Sequence, residues 1–384
     1  MLKKTINKRQ SQIEASMSGV EEYLRRSGAN NISSRRDYLG YEWDRGQLRA
    51  TIQFFPYVSP NRLCNDEDAM IAIIRFYSGI QCDGAYDSLV CEFIEERITP
   101  FVKKEHTLGH LQLDFDTGDI LYEAKLVVGD EPFSCESLKL VESAAQEVIQ
   151  KWLTQLNAVA HGHLPRLNDE LEEIKDKDEE LLSDKAVLGV MLEIRSFCIL
   201  YPGHPHYQES TDDCDGLPIW KLETGTYHGT YLVTISFTRN GLLFLTAHRG
   251  RLHLPVQTAR RAETALEFQR LSAKSAAVIF NLGAEKSPPT ATVAASMYDD
   301  PDVGALLHRM EWIALDEVDL METRWACGKQ ELRGSRQPSF PKLRNFLDLH
   351  EGKPSDEGDG EDFGSDELKK AIFSDMMKEL SAQE

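Results

Sequence analysis

Apolar positions along this chain fall into helical stripes and strand-like alternations that occur twice in the same order. In the first half, Ile13, Met17, Val20 and Leu24 recur at three- and four-residue steps and predict an amphipathic helix, stopped by Gly28 and the Asn30-Asn31 pair. Three strand-like runs follow, Tyr41–Trp43, Gln47–Phe55 and Met70–Ser78; in the second, Ile52 and Phe54 alternate against Arg49, Thr51 and Gln53. Asp83-Gly84 introduces a helix bearing Leu89, Val90, Phe93, Ile94 and Ile98, and Pro100 marks its end. A hairpin over 110–126 comes next. Leu111, Leu113 and Phe115 face one way and Gln112, Asp114 and Asp116 the other, which predicts a half-buried hairpin with one wet side. The closing helix, Ser137–Asn157, carries Leu138, Val141, Ala145, Val148 and Trp152 on one stripe.

The second half repeats this plan. A helix over Ala186–Leu200 and an irregular loop, Tyr201–Leu217, precede strands at Ile219–Thr224, Tyr231–Thr238 and Leu242–His248, the last two joined at Asn240-Gly241. Pro255 starts a helix with Ala262, Ala265, Leu266 and Leu271; strands at Ala277–Leu282 and Thr290–Met297 follow. A final helix from Asp302 runs through Val303, Leu307, Met310, Ala314, Val318 and Met321. The expected fold class is α+β, with two tandem units each ordered helix, three antiparallel strands, helix, two strands, helix. Their bounds are 1–165 and 185–329, separated by a charged linker at 166–184 and followed by an acidic tail, 330–384. Within the tail, 351–362 is acid- and glycine-rich and reads as a disordered tether. Beyond it Leu368, Ile372, Met376 and Leu380, with Phe373 alongside, restore a helical stripe that has nothing local to pack on.

Charge narrows the partners. Acidic residues outnumber basic ones, 63 against 43, for a formal net charge of −20, which repels phosphate backbones and anionic headgroups and argues against nucleic acid and membrane. The basic start runs into polar Gln10-Ser-Gln without an export segment, and no stretch is apolar enough to span a bilayer, so a cytoplasmic location is expected. Seven cysteines, none in a C-x-x-C pair, fit a reducing compartment.

Candidate chemistry is thin. His204-Pro-His206, near Asp212, Asp213, Cys214 and Asp215, is the best metal candidate, but its spacing matches no established ligand pattern, so neither metal nor cofactor is assigned. His161-Gly-His163 reads as a helix C-cap. No serine sits in a G-x-S-x-G turn, and Asp114 and Asp116 fall on the expected solvent face with nothing to raise a pKa. Arg249, Arg251, Arg260 and Arg261 form a small basic patch suited to an acidic segment such as the tail.

The run Gly109-His-Leu-Gln-Leu-Asp-Phe-Asp-Thr-Gly-Asp-Ile-Leu-Tyr122, within the element order above, resembles the YbjN-like family, whose fold is that of type III secretion chaperones. The resemblance covers roughly 20–160 and, through Phe280-Asn-Leu-Gly283 with a different turn, roughly 186–328. It implies an antiparallel sheet backed by helices and a tendency to pair, here as an intramolecular pseudo-dimer, and it supplies no catalytic residues. The expected function is therefore non-enzymatic: a chaperone- or adaptor-like module holding a segment of a protein partner, with Leu368, Ile372, Phe373, Met376 and Leu380 as partner-binding residues. Two alternatives stand beside it. One is a small-molecule- or metal-responsive regulator using the 201–217 loop with His204 and His206, the other a structural subunit docked by the terminal helix.

Overall fold

A computed structural model describes residues 2–35, 37–43, 48–57, 69–104, 108–163, 181–200, 207–211, 217–226, 229–249, 261–275, 277–281, 290–300 and 302–331. The fold is α+β with a mixed sheet. The first half runs α1 (Leu2–Ser27), β1 (Asn30–Ser34), β2 (Tyr38–Trp43), β3 (Leu48–Tyr57), β4 (Ala69–Gln81), α2 (Asp87–Phe93), a π turn (Ile94–Ile98), α3 (Thr99–Lys104), β5 (His110–Leu113), β6 (Asp119–Val128) and α4 (Cys135–Ala160). The second runs α5 (Asp184–Leu200), β7 (Tyr207–Thr211), β8 (Pro218–Thr226), β9 (Gly229–Phe237), β10 (Leu242–Arg249), α6 (Arg261–Lys274), β11 (Ile279–Asn281), β12 (Thr290–Ser296) and α7 (Val303–Glu331).

All described strands join one twelve-stranded sheet in the order β1-β2-β3-β4-β6-β12-β10-β9-β8-β7, with β5 on β6 and β11 on β12. Every pairing is antiparallel except the central one, where β6 runs parallel to β12 through Leu126↔Ala294 and Ala295↔Val127. Paired residues share a face of a sheet. Leu126 lies with Ala72, Ile74 and Phe76 on the face packed under α1 and α4, where Tyr41 donates to Glu142 of α4 at 2.9 Å. The second half's core uses the other parity: Ala295 lies with Leu243, Leu245 and Ile235 beneath α5 and α7, where the Tyr231 hydroxyl bonds Asp319. The two helical layers therefore cover opposite faces of one sheet, and each overlaps the other half near the middle. Tyr57 of β3 reaches α7, within 3.2 Å of both Asp316 and Glu317 and edge-on to Trp312.

The helical stripes of the sequence are the buried faces: Val20, Leu24, Leu138, Val141, Ala145, Leu307, Met310 and Ala314 are all buried. Four expectations change. Each half holds four strands before its middle helix, not three, because Asn30–Ser34 and Tyr207–Thr211 are outer strands too exposed to show apolar alternation. Pro100 does not end its helix. The chain widens into the π turn just before it and continues to Lys104, Pro100 bringing no N–H to the ladder. The hairpin has no wet side, since His110, Gln112, Glu123 and Lys125 are at most 4% exposed beneath the second half's α6 and α7. Asp114 is a turn residue, its carboxylate accepting from Asp116 N at 2.9 Å. The proposed helix start at Pro255 lies outside the described residues, which begin α6 at Arg261.

Among the described residues no helix is long and apolar enough to cross a membrane. Cys82, Cys91, Cys135 and Cys198 are free thiols, and burial pushes the Cys91 and Cys198 thiols up.

Candidate functional site at the seam between the two halves

Register defines matched positions across the central strand pair. His110 pairs with Glu123 in the first half and Ile279 with Thr292 in the second, each 169 residues from its counterpart. Lys125 then matches Ala294. One strand further out, Arg75 beside Glu123 matches Thr246 beside Thr292, and Ile73 beside Lys125 matches Phe244 beside Ala294.

On the first-half side these positions are filled with charge. Arg75 Nε donates to Glu123 Oε2 at 2.6 Å, and Lys125 Nζ lies 3.1 Å from Glu123 Oε1 as an ion pair without hydrogen-bond geometry. The same ammonium donates to the carbonyls of Ser272 and, at 2.9 Å, Ser275, at the C-terminal end of α6, where a cation complements the helix dipole. Burial alone would raise the Glu123 carboxyl; Lys125 and Arg75 outweigh it and hold it below the usual range. Burial, aided by Lys125, pushes His110 down to about 4 against the pull of Glu123, so the imidazole is neutral near pH 7. Its nitrogens lie 3.2 Å from the Glu123 carbonyl and 3.1 Å from Gln112 Oε1.

On the second-half side the places of Arg75, Glu123 and Lys125 are taken by the smaller Thr246, Thr292 and Ala294, and a cavity of about 230 Å³ opens above them. Its floor is Ser236, Phe244, Thr246, Thr292 and Ala294, with Ile279 and Asn281 of β11 beside them. Its roof comes from the first half: Ile98, Thr99 and Val102 of the π turn and α3, with Gly109, His110 and Leu111. Gly109, at φ +87°, lets the roof close, since a Cβ there would sit 2.7 Å from the Glu123 carbonyl and 2.8 Å from the Tyr122 ring. Thr246 and Thr292 share a hydrogen bond at 3.2 Å. The described lining offers hydroxyls, one amide, the neutral imidazole of His110 and apolar surface, groups that orient a ligand.

A second junction joins the β6–α4 loop to the β12–α7 loop, which carry Asp130-Glu-Pro and Asp299-Asp-Pro at the same 169-residue offset. Asp299 Oδ1 accepts from Ser134 N and Ser137 Oγ, both at 2.8 Å, so one half's acid holds the serine that caps the other half's α4, while its Oδ2 is buried without a hydrogen bond. Burial, reinforced by Asp300 and opposed by Ser134 and Ser137, raises its carboxyl to about 7. Its counterpart Asp130 is half-exposed. Lys8 and Arg309 overcome burial there and hold the carboxyl low.

His204 and His206, with Asp212, Asp213, Cys214 and Asp215, lie outside the described residues, as do Leu368, Ile372, Phe373, Met376 and Leu380. Among the described residues no group of three His, Cys, Asp or Glu side chains is placed to hold a metal. The seam residues Glu123, Lys125, Thr246 and Thr292 went unread. The one signal for them was the apolar density of Ile120–Val128, a strand covered on both faces, into which Glu123 and Lys125 intrude.

No family model matches the chain, and no curated protein matches it. Among solved structures, the crystal structure of the di-domain ARO/CYC StfQ from the steffimycin biosynthetic pathway is similar at 10% identity over 80% of this chain and 92% of that one, with a TM-score of 0.16. A score that low carries no argument about fold or function.

Proposed function

We propose that the chain is a tandem pair of YbjN-like, secretion-chaperone-like units arranged as an intramolecular pseudo-dimer, and that it works as a non-enzymatic, chaperone- or adaptor-like module holding an extended segment of a protein partner. The observation that carries this reading is the sheet's two ends. Its outermost described strands, β1 and β7, come from matching places in the two halves, are polar and mostly exposed, and each pairs with one neighbour. Such an edge offers a free row of backbone donors and acceptors to an added strand. The parallel central pair, the helical layers on opposite faces and the repeated element order support the pseudo-dimer. The cavity's lining of hydroxyl, amide and apolar groups, with His110 held neutral near pH 7, supports binding over proton-transfer chemistry.

The test is an array of extended peptides probed with the full chain, followed by N-methylation of the best binder at alternate residues. Strand addition requires one alternation to abolish binding and the other to leave it within about threefold, since only every second N–H faces the edge. Equal tolerance of both patterns, or no binding peptide, rejects the reading.

A further inference from the structure

We infer that the cavity between α3 and the second-half sheet is a binding site for a small uncharged ring compound carrying a hydroxyl, of the benzyl alcohol or phenol class. This goes beyond the protein-binding reading and does not depend on it. The same seam position is built twice in one backbone register, and in the first half Arg75, Glu123 and Lys125 occupy it, Glu123 and Lys125 fully covered and Arg75 32% exposed. Longer side chains can therefore occupy this space, and Thr246, Thr292 and Ala294 leave it open.

The lining specifies the ligand. Phe244, Ile98, Val102, Leu111, Ile279 and Ala294 offer apolar wall, whereas Thr99, Ser236, Thr246, Thr292 and Asn281 offer groups that donate and accept. Among the described lining residues there is no Asp, Glu, Lys or Arg, and His110 is neutral near pH 7, so a charged ligand would lose its hydration with no counter-ion from them. Size narrows it further: about 230 Å³ equals roughly eight waters at ~30 Å³ each, the space of one six-membered ring with a short polar arm. The roof includes the π turn beside Pro100, a helix irregularity frequent where ligands bind.

The experiment uses the full chain with isoleucine methyl groups labelled for NMR, titrated with benzyl alcohol, benzoate and benzylamine. The expected result is saturable shifts of the Ile98 and Ile279 methyls with benzyl alcohol, with Ile74 in the first-half core unmoved. Benzoate and benzylamine should bind at least 10-fold more weakly. Thr246→Met, which extends a flexible side chain into the space, should weaken benzyl alcohol at least 10-fold. If that variant does not fold, the wild-type shift pattern and the charge discrimination decide alone. Silence at Ile98 and Ile279, equal binding of the charged analogues, or unchanged affinity in a folded Thr246→Met overturns the proposal. Because the peptide test reads the outer strands and this one reads the seam, failure of either is distinguishable from failure of the other.

Discussion

On the first-half side of the central strand pair, Arg75, Glu123 and Lys125 fill the space under α6 with charge; on the second-half side, Thr246, Thr292 and Ala294 hold the matched places under α3 and leave it hollow. The loops beyond repeat the contrast. Asp130 is half-exposed and paired with Lys8 and Arg309, whereas its counterpart Asp299 is buried with a raised pKa. What the two halves share is backbone register, and what differs is how each offsets the desolvation of what it buries. The ionic side is a closed set in which removing one member strands the others. The hollow side tolerates change.

The largest effect should come from giving the ionic side its counterpart's residue. Glu123→Thr leaves Arg75 and Lys125 without their carboxylate and should cost about 3–5 kcal/mol in denaturant unfolding. The full exchange R75T/E123T/K125A should cost less than the sum of its three single changes, because no unmatched charge remains. Additive losses would break the view of this side as one unit.

Next in size is a pH effect. The folded pKa of Asp299 lies above its unfolded value, so the native state holds the extra proton and this group's contribution is lost as pH rises from about 4 to about 7. The whole shift corresponds to at most about 4 kcal/mol at 1.36 kcal/mol per unit. His110 has the opposite sign. Its folded pKa of about 4 lies below the unfolded 6.5, so its contribution rises with pH across nearly the same window. Asp299→Asn should therefore expose the His110 trend, with denaturation midpoints climbing from pH 4.5 to pH 6.5. A midpoint that falls over that range in the variant would contradict the assignment.

Gly109→Ala should cost about 2–3 kcal/mol, from its φ of +87° and the blocked approach to Glu123 and Tyr122. Its counterpart Val278 has no positive φ, Asn31 being the one non-glycine residue with one among those described. The smallest effect belongs to the hollow side: Thr292→Val should change stability by less than about 1 kcal/mol, since a hydroxyl pair beside a cavity gives up little. A loss near that of Glu123→Thr would erase the distinction between the sides.

Much of the fold is written in local periodicity. The stripes of α1, α4 and α7 were legible because each buries one face against the sheet, and Asn240-Gly241 marked the β9–β10 turn through a φ of +88° at Gly241. The outer strands were not, because Asn30–Ser34 and Tyr207–Thr211 are mostly exposed and are held by backbone pairing and a few polar side-chain bonds rather than by an apolar face. The seam was hidden for a different reason. Gln112 reads as part of a solvated face with Asp114 and Asp116, and coverage of Gln112, Glu123 and Lys125 by helices some 150 residues away is what makes that face an interior. Glycine, too, was half legible: Gly109 stood inside the quoted hairpin run, but its need for positive φ comes from the Tyr122 ring beneath it.

The most direct test of the asymmetry is a crystal of the full chain pressurised with xenon and read by anomalous scattering, since xenon enters unfilled apolar space and not packed ion pairs. The account predicts a xenon site among Phe244, Ile98, Val102 and Ile279, and none beside Arg75, Glu123 and Lys125. Xenon beside Glu123, or no xenon among Phe244, Ile98, Val102 and Ile279, would contradict it.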